Sequence, residues 1–110
     1  MWEVRDQLVT SYLRTVAAGV AAEKIIIDPG IGFGKTADLN RKLIGFAALT
    51  LGIPTMIGYS RKRFLGEDRL QTQVNVEAGR KAVQLGAKYL RVHDVAAHRR
   101  IFPKKEYVIS

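Results

Sequence analysis

Patterns typical of helices and of strands alternate along the whole chain, and this alternation constrains the fold more than any other feature. Strict alternation is typical of parallel strands that are joined by helical crossovers. The predicted elements are helices at 3–19, 38–51, 75–87 and 94–102, strands at 24–28, 54–58 and 88–92, a helical turn at 60–66, and a polar tail after 102. The sequence therefore predicts an α/β fold, either a doubly wound sheet or part of a (β/α)₈ TIM barrel.

Each predicted strand ends in polar residues. Asp28 ends the first strand, Ser60 and Lys62 follow the second, and Arg91 and His93 lie in and after the third. Functional residues of barrels collect at the carboxyl ends of several strands. We therefore expect these side chains to face one common rim.

Composition excludes several classes of function. The 110 residues contain no cysteine, which rules out disulfides, thiolate metal sites and a cysteine nucleophile. No apolar run reaches the roughly 18 residues of a membrane span, and the first residues lack the order of a signal peptide. A cytoplasmic protein without a membrane partner is the expectation.

A net charge of +8 favours anionic partners. The basic clusters at 60–63 and 98–100 are short, and no aromatic residues interleave with them to stack bases. A small phosphorylated or carboxylated substrate fits this charge better than nucleic acid. A basic nucleic-acid binder stays open as an alternative, as does a non-catalytic module that self-associates through two unpaired sheet edges.

The glycine-rich segment 25–36 does not match a known phosphate-binding loop. A nucleotide P-loop would need glycine where Pro29 stands, and the glycines at 30, 32 and 34 have the wrong spacing for a dinucleotide fingerprint. Attention therefore moves to Asp28. Its carboxylate could accept paired N–H groups from a heterocycle, or it could cap the turn that Pro29 and Gly30 form.

Arg91 and His93 are two residues apart in a strand and should share a face with Tyr89. An arginine inside a buried strand needs an anion, a flat π-system or an ion pair, and Asp94 is the nearest acid in sequence. Lys62 follows Ser60, the predicted N-cap of the turn, where its ammonium would either meet an anion or lie in solvent.

Three segments together resemble one family. "DPGIGFGKT" (28–36), "GYSRKRFLG" (58–66) and "RVHDV" (91–95) are similar, in this order, to motifs of the dihydropteroate synthases, folate-pathway enzymes built on a (β/α)₈ barrel. The resemblance runs from about Val4 to Ile101. It implies that residues 1–110 are the C-terminal portion of a pterin-binding TIM-barrel domain and contain its last three βα units.

The resemblance implies condensation of 6-hydroxymethyl-7,8-dihydropterin diphosphate with 4-aminobenzoate, with loss of pyrophosphate. Asp28 matches the acid that binds the amino-pyrimidine edge of the pterin, and Phe33 matches the aromatic beside the aminobenzoate. Lys62 matches the lysine between the two substrates. Arg63 stands where many members have a serine that contacts the aminobenzoate carboxylate.

Arg91 matches an arginine that stacks on the pterin, and Arg91 and His93 together match the pair that meets the diphosphate. The resemblance thus implies Lys62, Arg91 and His93 as catalytic residues. It also implies Mg²⁺ with ligands outside this chain, and it leaves a homodimer open. Because the family's first strands and their loops are not matched, we expect no turnover from this chain alone.

Overall fold

A computed structural model describes residues 1–102, 104 and 107–109. Four α-helices and three strands follow in chain order: α1 Trp2–Ala17, α2 Ala37–Leu43, β1 Met56–Ile57, α3 Thr72–Gln84, β2 Tyr89–Arg91, α4 Val95–Ile101 and β3 Val108–Ile109. Short 3-10 turns lie at Ala22–Lys24, Phe46–Leu49 and Arg63–Leu65. The predicted alternation of helix and strand is confirmed, although most elements are shorter than predicted.

The sheet is parallel throughout, with the strand order β1-β2-β3. Met56 pairs with Tyr89, and Leu90 pairs with Val108. This parallel arrangement agrees with the predicted (β/α)₈ fragment, because successive strands joined by helices lie side by side in such barrels.

The predicted strand at 24–28 is reduced to one residue in the sheet. Ile27 forms a parallel bridge with Thr55, donating its N–H to the Pro54 oxygen at 3.0 Å and accepting from the Met56 N–H at 2.8 Å. Pro54 has no N–H, so the hydrogen-bond ladder cannot continue towards the start of the strand. Ile26 is 44% exposed, and the prediction that this strand is covered on both faces was wrong.

The predicted polar tail contains strand β3. Val108, only 2% exposed, packs into the core, and Val92 donates its N–H to the Ile109 oxygen at 2.9 Å. Two β-branched residues after a run of polar ones are too short a signal to separate from a loop. The edge of β2 that was expected to be open is therefore covered; residues 103, 105, 106 and 110 of the predicted tail lie outside the described residues.

The helix predicted at 38–51 breaks after Leu43. At Gly45 an added Cβ would come within 2.9 Å of the Leu85 side chain, so this glycine permits a close approach between the break and the end of α3. None of the described helices is both long enough and apolar enough to span a membrane.

The core lies on one face of the sheet, between the strands and the helices. Ile57, Tyr59 and Leu90 are fully buried there, together with His98 of α4. The Tyr59 hydroxyl and His98 Nε2 are 2.6 Å apart, and His98 Nδ1 lies 2.8 Å from the Asp94 backbone oxygen. Because that oxygen can only accept, Nδ1 carries the proton and Tyr59 donates to Nε2. Burial raises the pKa of Tyr59, which keeps its hydroxyl protonated.

Candidate functional site

Asp28 uses both of its carboxylate oxygens. Oδ1 accepts from the Gly30 N–H at 2.8 Å, and Oδ2 lies 3.5 Å from Nη2 of Arg91. Oδ1 therefore caps the turn, as one of the two interpretations predicted. Oδ2 instead faces the guanidinium of Arg91 across the sheet. The side chain of Asp28 is 24% exposed, so it is partly accessible to solvent.

Of the alternatives for Arg91, the ion pair with Asp94 was wrong. Asp94 instead caps α4, accepting the Ala97 N–H at 3.0 Å, and it takes a longer hydrogen bond of 3.4 Å from the Thr72 hydroxyl. Sequence adjacency was misleading because Arg91 and Asp94 lie on either side of the strand end, where the chain turns into the helix. The partner of Arg91 is Asp28, 63 residues earlier in the chain.

Gly58 provides the surface over which Arg91 extends. A Cβ added at Gly58 would lie 2.9 Å from Nη2, 3.3 Å from Nε and 3.4 Å from Cζ of Arg91. The guanidinium thus packs directly on the backbone just after β1, while the Arg91 side chain remains 44% exposed. A planar cation in this position can stack on a flat ligand and still donate from its edge.

Ser60 does not cap a helix, contrary to the prediction. Its hydroxyl accepts the His93 N–H at 3.2 Å and lies 2.8 Å from Nδ1 of the same histidine. If the hydroxyl proton goes to Nδ1, the neutral imidazole carries its own proton on Nε2, which is the nitrogen free to donate to a ligand. The predicted proximity of the polar residues after the second and third strands is thereby observed.

Lys62 precedes the 3-10 turn Arg63–Leu65 and contacts the loop after the first strand, which neither alternative predicted. Its ammonium donates to the Ile31 backbone oxygen and lies 5.1 Å from the centre of the Phe33 ring. Burial lowers the pKa of Lys62, and the nearby charges of Arg91 and Lys35 lower it further, while Asp28 acts in the opposite direction. Lys62 thereby joins the loop after the first strand to the loop after the second.

Glycines shape the loop that Lys62 contacts. Gly32 has a φ of +88°, and a Cβ there would come within 3.1 Å of the Lys62 side chain. A side chain at this position would therefore be strained and would displace the lysine. Lys35 also contacts this loop, and its ammonium donates to the backbone oxygens of Gly30 and Phe33 at 3.0 and 3.1 Å.

Two buried asparagines support these loops, and the sequence analysis did not identify them as site residues. Asn40 accepts the Gly32 N–H at 2.9 Å. Asn75 accepts the Arg61 N–H at 2.8 Å and donates to the backbone oxygens of Arg69 and Gln71, both at 2.8 Å. No residue-type pattern marks a lone asparagine in a helix as a loop support, because its partners are backbone atoms distant in sequence.

Two neighbouring cavities open at this rim. The smaller, of about 220 Å³, is lined by Gly58, Ser60, Lys62, Arg91, Val92 and His93. The larger, of about 710 Å³, includes Phe33, Lys62 and Arg63 in its lining. Lys62 belongs to both cavities, so it forms part of the wall between them.

The described residues do not form a metal centre. No group of three or more histidine, aspartate or glutamate side chains comes together in the described part of the chain. Asp28, a carboxylate at the rim, already accepts from a backbone N–H and faces a guanidinium. These residues do not fit a magnesium site.

Comparison with known proteins supports the resemblance inferred from the motifs. A family model described as pterin binding enzyme matches residues 1–93. A dihydropteroate synthase of Neisseria meningitidis serogroup C is 41% identical over 105 residues, covering 86% of this chain and 37% of that protein. One of Mycobacterium leprae is 38% identical over 109 residues, covering 86% of this chain and 38% of that protein. The chain thus spans less than two fifths of these relatives.

Solved structures agree with this result. The dihydropteroate synthase of Xanthomonas albilineans in complex with 7,8-dihydropteroate superposes with a TM-score of 0.82 at 37% identity, covering 92% of this chain and 42% of that one. The structure of the same enzyme with 4-aminobenzoic acid also gives 0.82 at 37% identity, covering 92% and 40%.

One further relative bears on activity. A protein of Mycobacterium tuberculosis named inactive dihydropteroate synthase 2 is 36% identical over 107 residues, covering 89% of this chain and 33% of that protein. Similarity at this level is thus shared by proteins named dihydropteroate synthase and by one named inactive. On the family model and these relatives, the chain belongs to the family of pterin-binding enzymes.

Proposed function

We propose that this chain provides the pterin and aminobenzoate contacts of a dihydropteroate synthase, as the C-terminal portion of its barrel domain. The observation that carries the proposal is the pairing of Asp28 with Arg91 across the sheet, 3.5 Å apart, beside a cavity that Lys62 and His93 also line. A partly exposed carboxylate and a planar cation at one rim suit a flat heterocycle with N–H donors on its edge.

The pterin site is proposed at the smaller cavity. Asp28 Oδ2 accepts from the amino-pyrimidine edge, and the Arg91 guanidinium stacks on the ring system. Gly58 lets the guanidinium lie close to the backbone, which leaves space above it for the ligand. The fixed loop around Gly30 orients Asp28 before the ligand arrives, so little ordering entropy is lost on binding.

The acceptor amine is proposed to bind at the larger cavity. The Phe33 ring is 69% exposed and provides a flat apolar surface, while Lys62 lies between the ring and the pterin site. Arg63 takes the place of the family's common serine and pairs with the carboxylate of the acceptor. The two ligands then meet at Lys62, which contributes to both cavities.

The reaction is a displacement in which orientation and charge stabilisation matter most. As the bond between the pterin methylene and the diphosphate oxygen breaks, negative charge grows on the leaving group. Arg91 and the Nε2–H of His93 donate to that oxygen more strongly as its charge grows, and this difference lowers the barrier. The neutral amine then attacks the methylene carbon and loses a proton to solvent, so no strong base is required.

We also propose that the reaction takes place only in the whole enzyme, because the described residues of this chain do not form a magnesium site. The magnesium that would neutralise the diphosphate is expected on residues outside this chain, and we expect no dihydropteroate from the chain alone. A cytoplasmic location and a homodimer are likewise proposed for the whole enzyme.

Replacing Asp28 tests the pterin site. Asp28→Ala removes hydrogen bonds to a charged acceptor, which should weaken pterin binding by about 1.5–3 kcal/mol, measured by calorimetric titration of the 110-residue chain. Asp28→Asn keeps an acceptor for the Gly30 N–H and should fold normally, yet it should also bind pterin poorly. Asp38→Ala removes an exposed acid from α2 and serves as the control.

Two results would contradict this assignment. Unchanged pterin affinity in Asp28→Asn would mean that the carboxylate does not contact the ligand. Unfolding of Asp28→Ala together with normal binding by Asp28→Asn would leave Asp28 with the turn-capping role alone.

A further inference from the structure

The chain segments that follow β1 and β2 are joined by hydrogen bonds both at the rim and in the core. At the rim, the Ser60 hydroxyl accepts the His93 N–H at 3.2 Å and lies 2.8 Å from its Nδ1. In the core, the Tyr59 hydroxyl lies 2.6 Å from His98 Nε2, and His98 Nδ1 lies 2.8 Å from the Asp94 oxygen. Because each path uses adjacent residues of both segments, the two paths join the same two points of the chain.

Helix α3 is shaped to admit the Tyr59 hydroxyl. Gly79 lies inside this helix, and a Cβ there would overlap the hydroxyl. Glycine is unfavourable inside a helix relative to alanine, so the space that the hydroxyl occupies accounts for this residue better than the helix does. Tyr59 and His98 are both 0% exposed. The packing of α3 against the sheet therefore accommodates this buried hydrogen bond.

The path through the core fixes the backbone of Asp94. Its oxygen accepts from Nδ1 of His98 and, at 3.3 Å, from the N–H of the same residue. The Asp94 side chain accepts the Ala97 N–H at 3.0 Å. Asp94 is thus held by α4, and Tyr59 in turn ties α4 to the segment after β1. His93 immediately precedes this anchored point.

The two paths differ in how readily water replaces them. His93 is exposed, so water competes with Ser60 for the imidazole. The pair of Tyr59 and His98 is fully buried, and breaking it leaves polar atoms in the core without partners, which is costly. The spacing between the two segments is therefore set in the core, and the hydrogen bonds at the rim depend on that spacing.

We propose that Tyr59 and His98 are positioning residues for His93. Their hydrogen bond keeps residues 59–60 and 93–94 at the spacing at which Ser60 binds the imidazole and leaves its Nε2–H free to donate to a ligand. Neither positioning residue contacts the ligand itself. The inference rests on the proposed function for the task of His93, which is to donate to the departing diphosphate, but the positioning can be measured without any ligand.

Replacing both core side chains together separates positioning from stability. Tyr59→Phe alone leaves a buried acceptor on His98 without a donor and should lower the urea midpoint. Tyr59→Phe combined with His98→Leu removes both polar partners, so the urea midpoint of the double variant should return close to that of the unchanged protein. An apolar contact has no directional hydrogen bond, so the double variant should still lose the fixed orientation of His93.

Nitrogen-15 NMR of the imidazoles of the 110-residue chain reports this orientation through the tautomer. The chain has two histidines, so the double variant retains the signals of His93 alone. At mildly alkaline pH, where an imidazole is neutral, His93 of the unchanged protein should be almost wholly the Nε2–H tautomer. Tyr59→Phe and the double variant should both show a mixture of the two tautomers.

Ile57→Val is the matched control. Ile57 lies on β1 and is fully buried, and its shortening destabilises the core without removing a hydrogen bond. This variant should have a lowered urea midpoint and an unchanged His93 tautomer. The control therefore separates the loss of one hydrogen bond from a general loosening of the core.

Calorimetric titration with inorganic pyrophosphate connects the position of His93 to the leaving group. His93→Ala should weaken pyrophosphate binding about tenfold, because it removes a hydrogen bond to a charged acceptor. Tyr59→Phe should weaken this binding severalfold, although residue 59 is buried in the core. Ile57→Val should leave the affinity unchanged.

Three results would overturn the inference: a single His93 tautomer in both Tyr59→Phe and the double variant, an equal loss of the tautomer in Ile57→Val, or pyrophosphate binding that responds to His93→Ala but not to Tyr59→Phe. Pyrophosphate binding that does not respond to His93→Ala, together with mixed tautomers in the core variants, would have a different meaning. It would refute the leaving-group role of His93 in the proposed function and leave the positioning intact.

Discussion

Tyr59 and Ser60 are neighbours in the chain, yet they face opposite sides of the sheet and contact different histidines. Tyr59 meets His98 in the core, where both side chains are fully buried. Ser60 meets His93 at the rim, where the histidine is exposed. Both pairs join a hydroxyl to an imidazole at a short distance, 2.6 Å and 2.8 Å, so chemistry alone does not distinguish them.

The two pairs differ in which hydrogen-bonding groups are still without a partner after the pair has formed. In the core, the second nitrogen of His98 donates to the Asp94 oxygen, so the network is complete and no group is left for a ligand. At the rim, Nε2 of His93 has no hydrogen-bond partner among the described residues, and Arg91 has only Asp28 beside its Nη2. A polar group is therefore structural on the closed face and available for binding on the open face.

Replacing a glycine on the closed face should have the largest effect. A Cβ at Gly79 in α3 would overlap the Tyr59 hydroxyl and approach the Leu90 side chain to 3.1 Å. Gly79→Ala should lower the free energy of unfolding by about 3 kcal/mol, despite the gain of roughly 1 kcal/mol in helix propensity. Urea denaturation measures this, with Lys81→Ala on the exposed side of α3 as control. A neutral result would show that this face is loosely packed.

Removing the Tyr59 hydroxyl should have the next largest effect. Tyr59→Phe leaves Nε2 of His98 buried without a donor, at a cost of about 1–3 kcal/mol. The raised pKa of Tyr59 adds a pH dependence: the neutral phenol is favoured by folding, so its contribution is complete below pH 10.0 and decreases as the pH rises above that value. The variant should lack this alkaline loss of stability. An identical pH profile for both proteins would argue against burial of the hydroxyl.

Ser60→Ala makes the matching change on the open face. It removes two hydrogen bonds to His93, but solvent can replace them, so the free energy of unfolding should fall by about 1 kcal/mol or less. The His93 tautomer should no longer be fixed, which ¹⁵N NMR of the imidazole can detect. If Ser60→Ala costs as much as Tyr59→Phe, the proposed difference between the two faces is wrong.

Gly58→Ala should have the smallest effect on stability. The three atoms nearest to the new Cβ all belong to the end of the Arg91 side chain, which can move away, so the change should be about 0.5 kcal/mol or less. It is the same substitution as at Gly79, on the opposite face. Displacement of Arg91 should nevertheless weaken pterin binding severalfold. A large loss of stability would mean that the pair of Asp28 and Arg91 holds the sheet together.

The alternation of strand residues made much of this predictable. It correctly separated Leu90 and Val92, which are buried, from Arg91 and His93, which are not. The common rim also followed from the order of elements, because parallel strands end at the same edge. Family motifs then supplied roles for these residues, and those roles stay predictions.

The failures share a physical cause, which is that the missing information lies in contacts between distant residues. Ser60 was assigned to a local cap, but its partner is 33 residues away. A neighbouring acid, Asp94, was the alternative partner considered for Arg91, but Arg91 faces Asp28. The tail strand was missed because Val108 and Ile109 form a strand only against the edge of β2.

Strand β3 also affects the dynamics of the backbone at the rim. Val92 lies between Arg91 and His93, and its N–H is held by Ile109 at the tail. This amide can exchange with solvent deuterium only when the tail detaches, so its exchange rate measures how often β3 opens. During each such opening, the backbone that carries Arg91 and His93 stays paired with β1 but loses its hydrogen bonds to β3. The rigidity of Arg91 and His93 therefore depends on residues that contact no ligand.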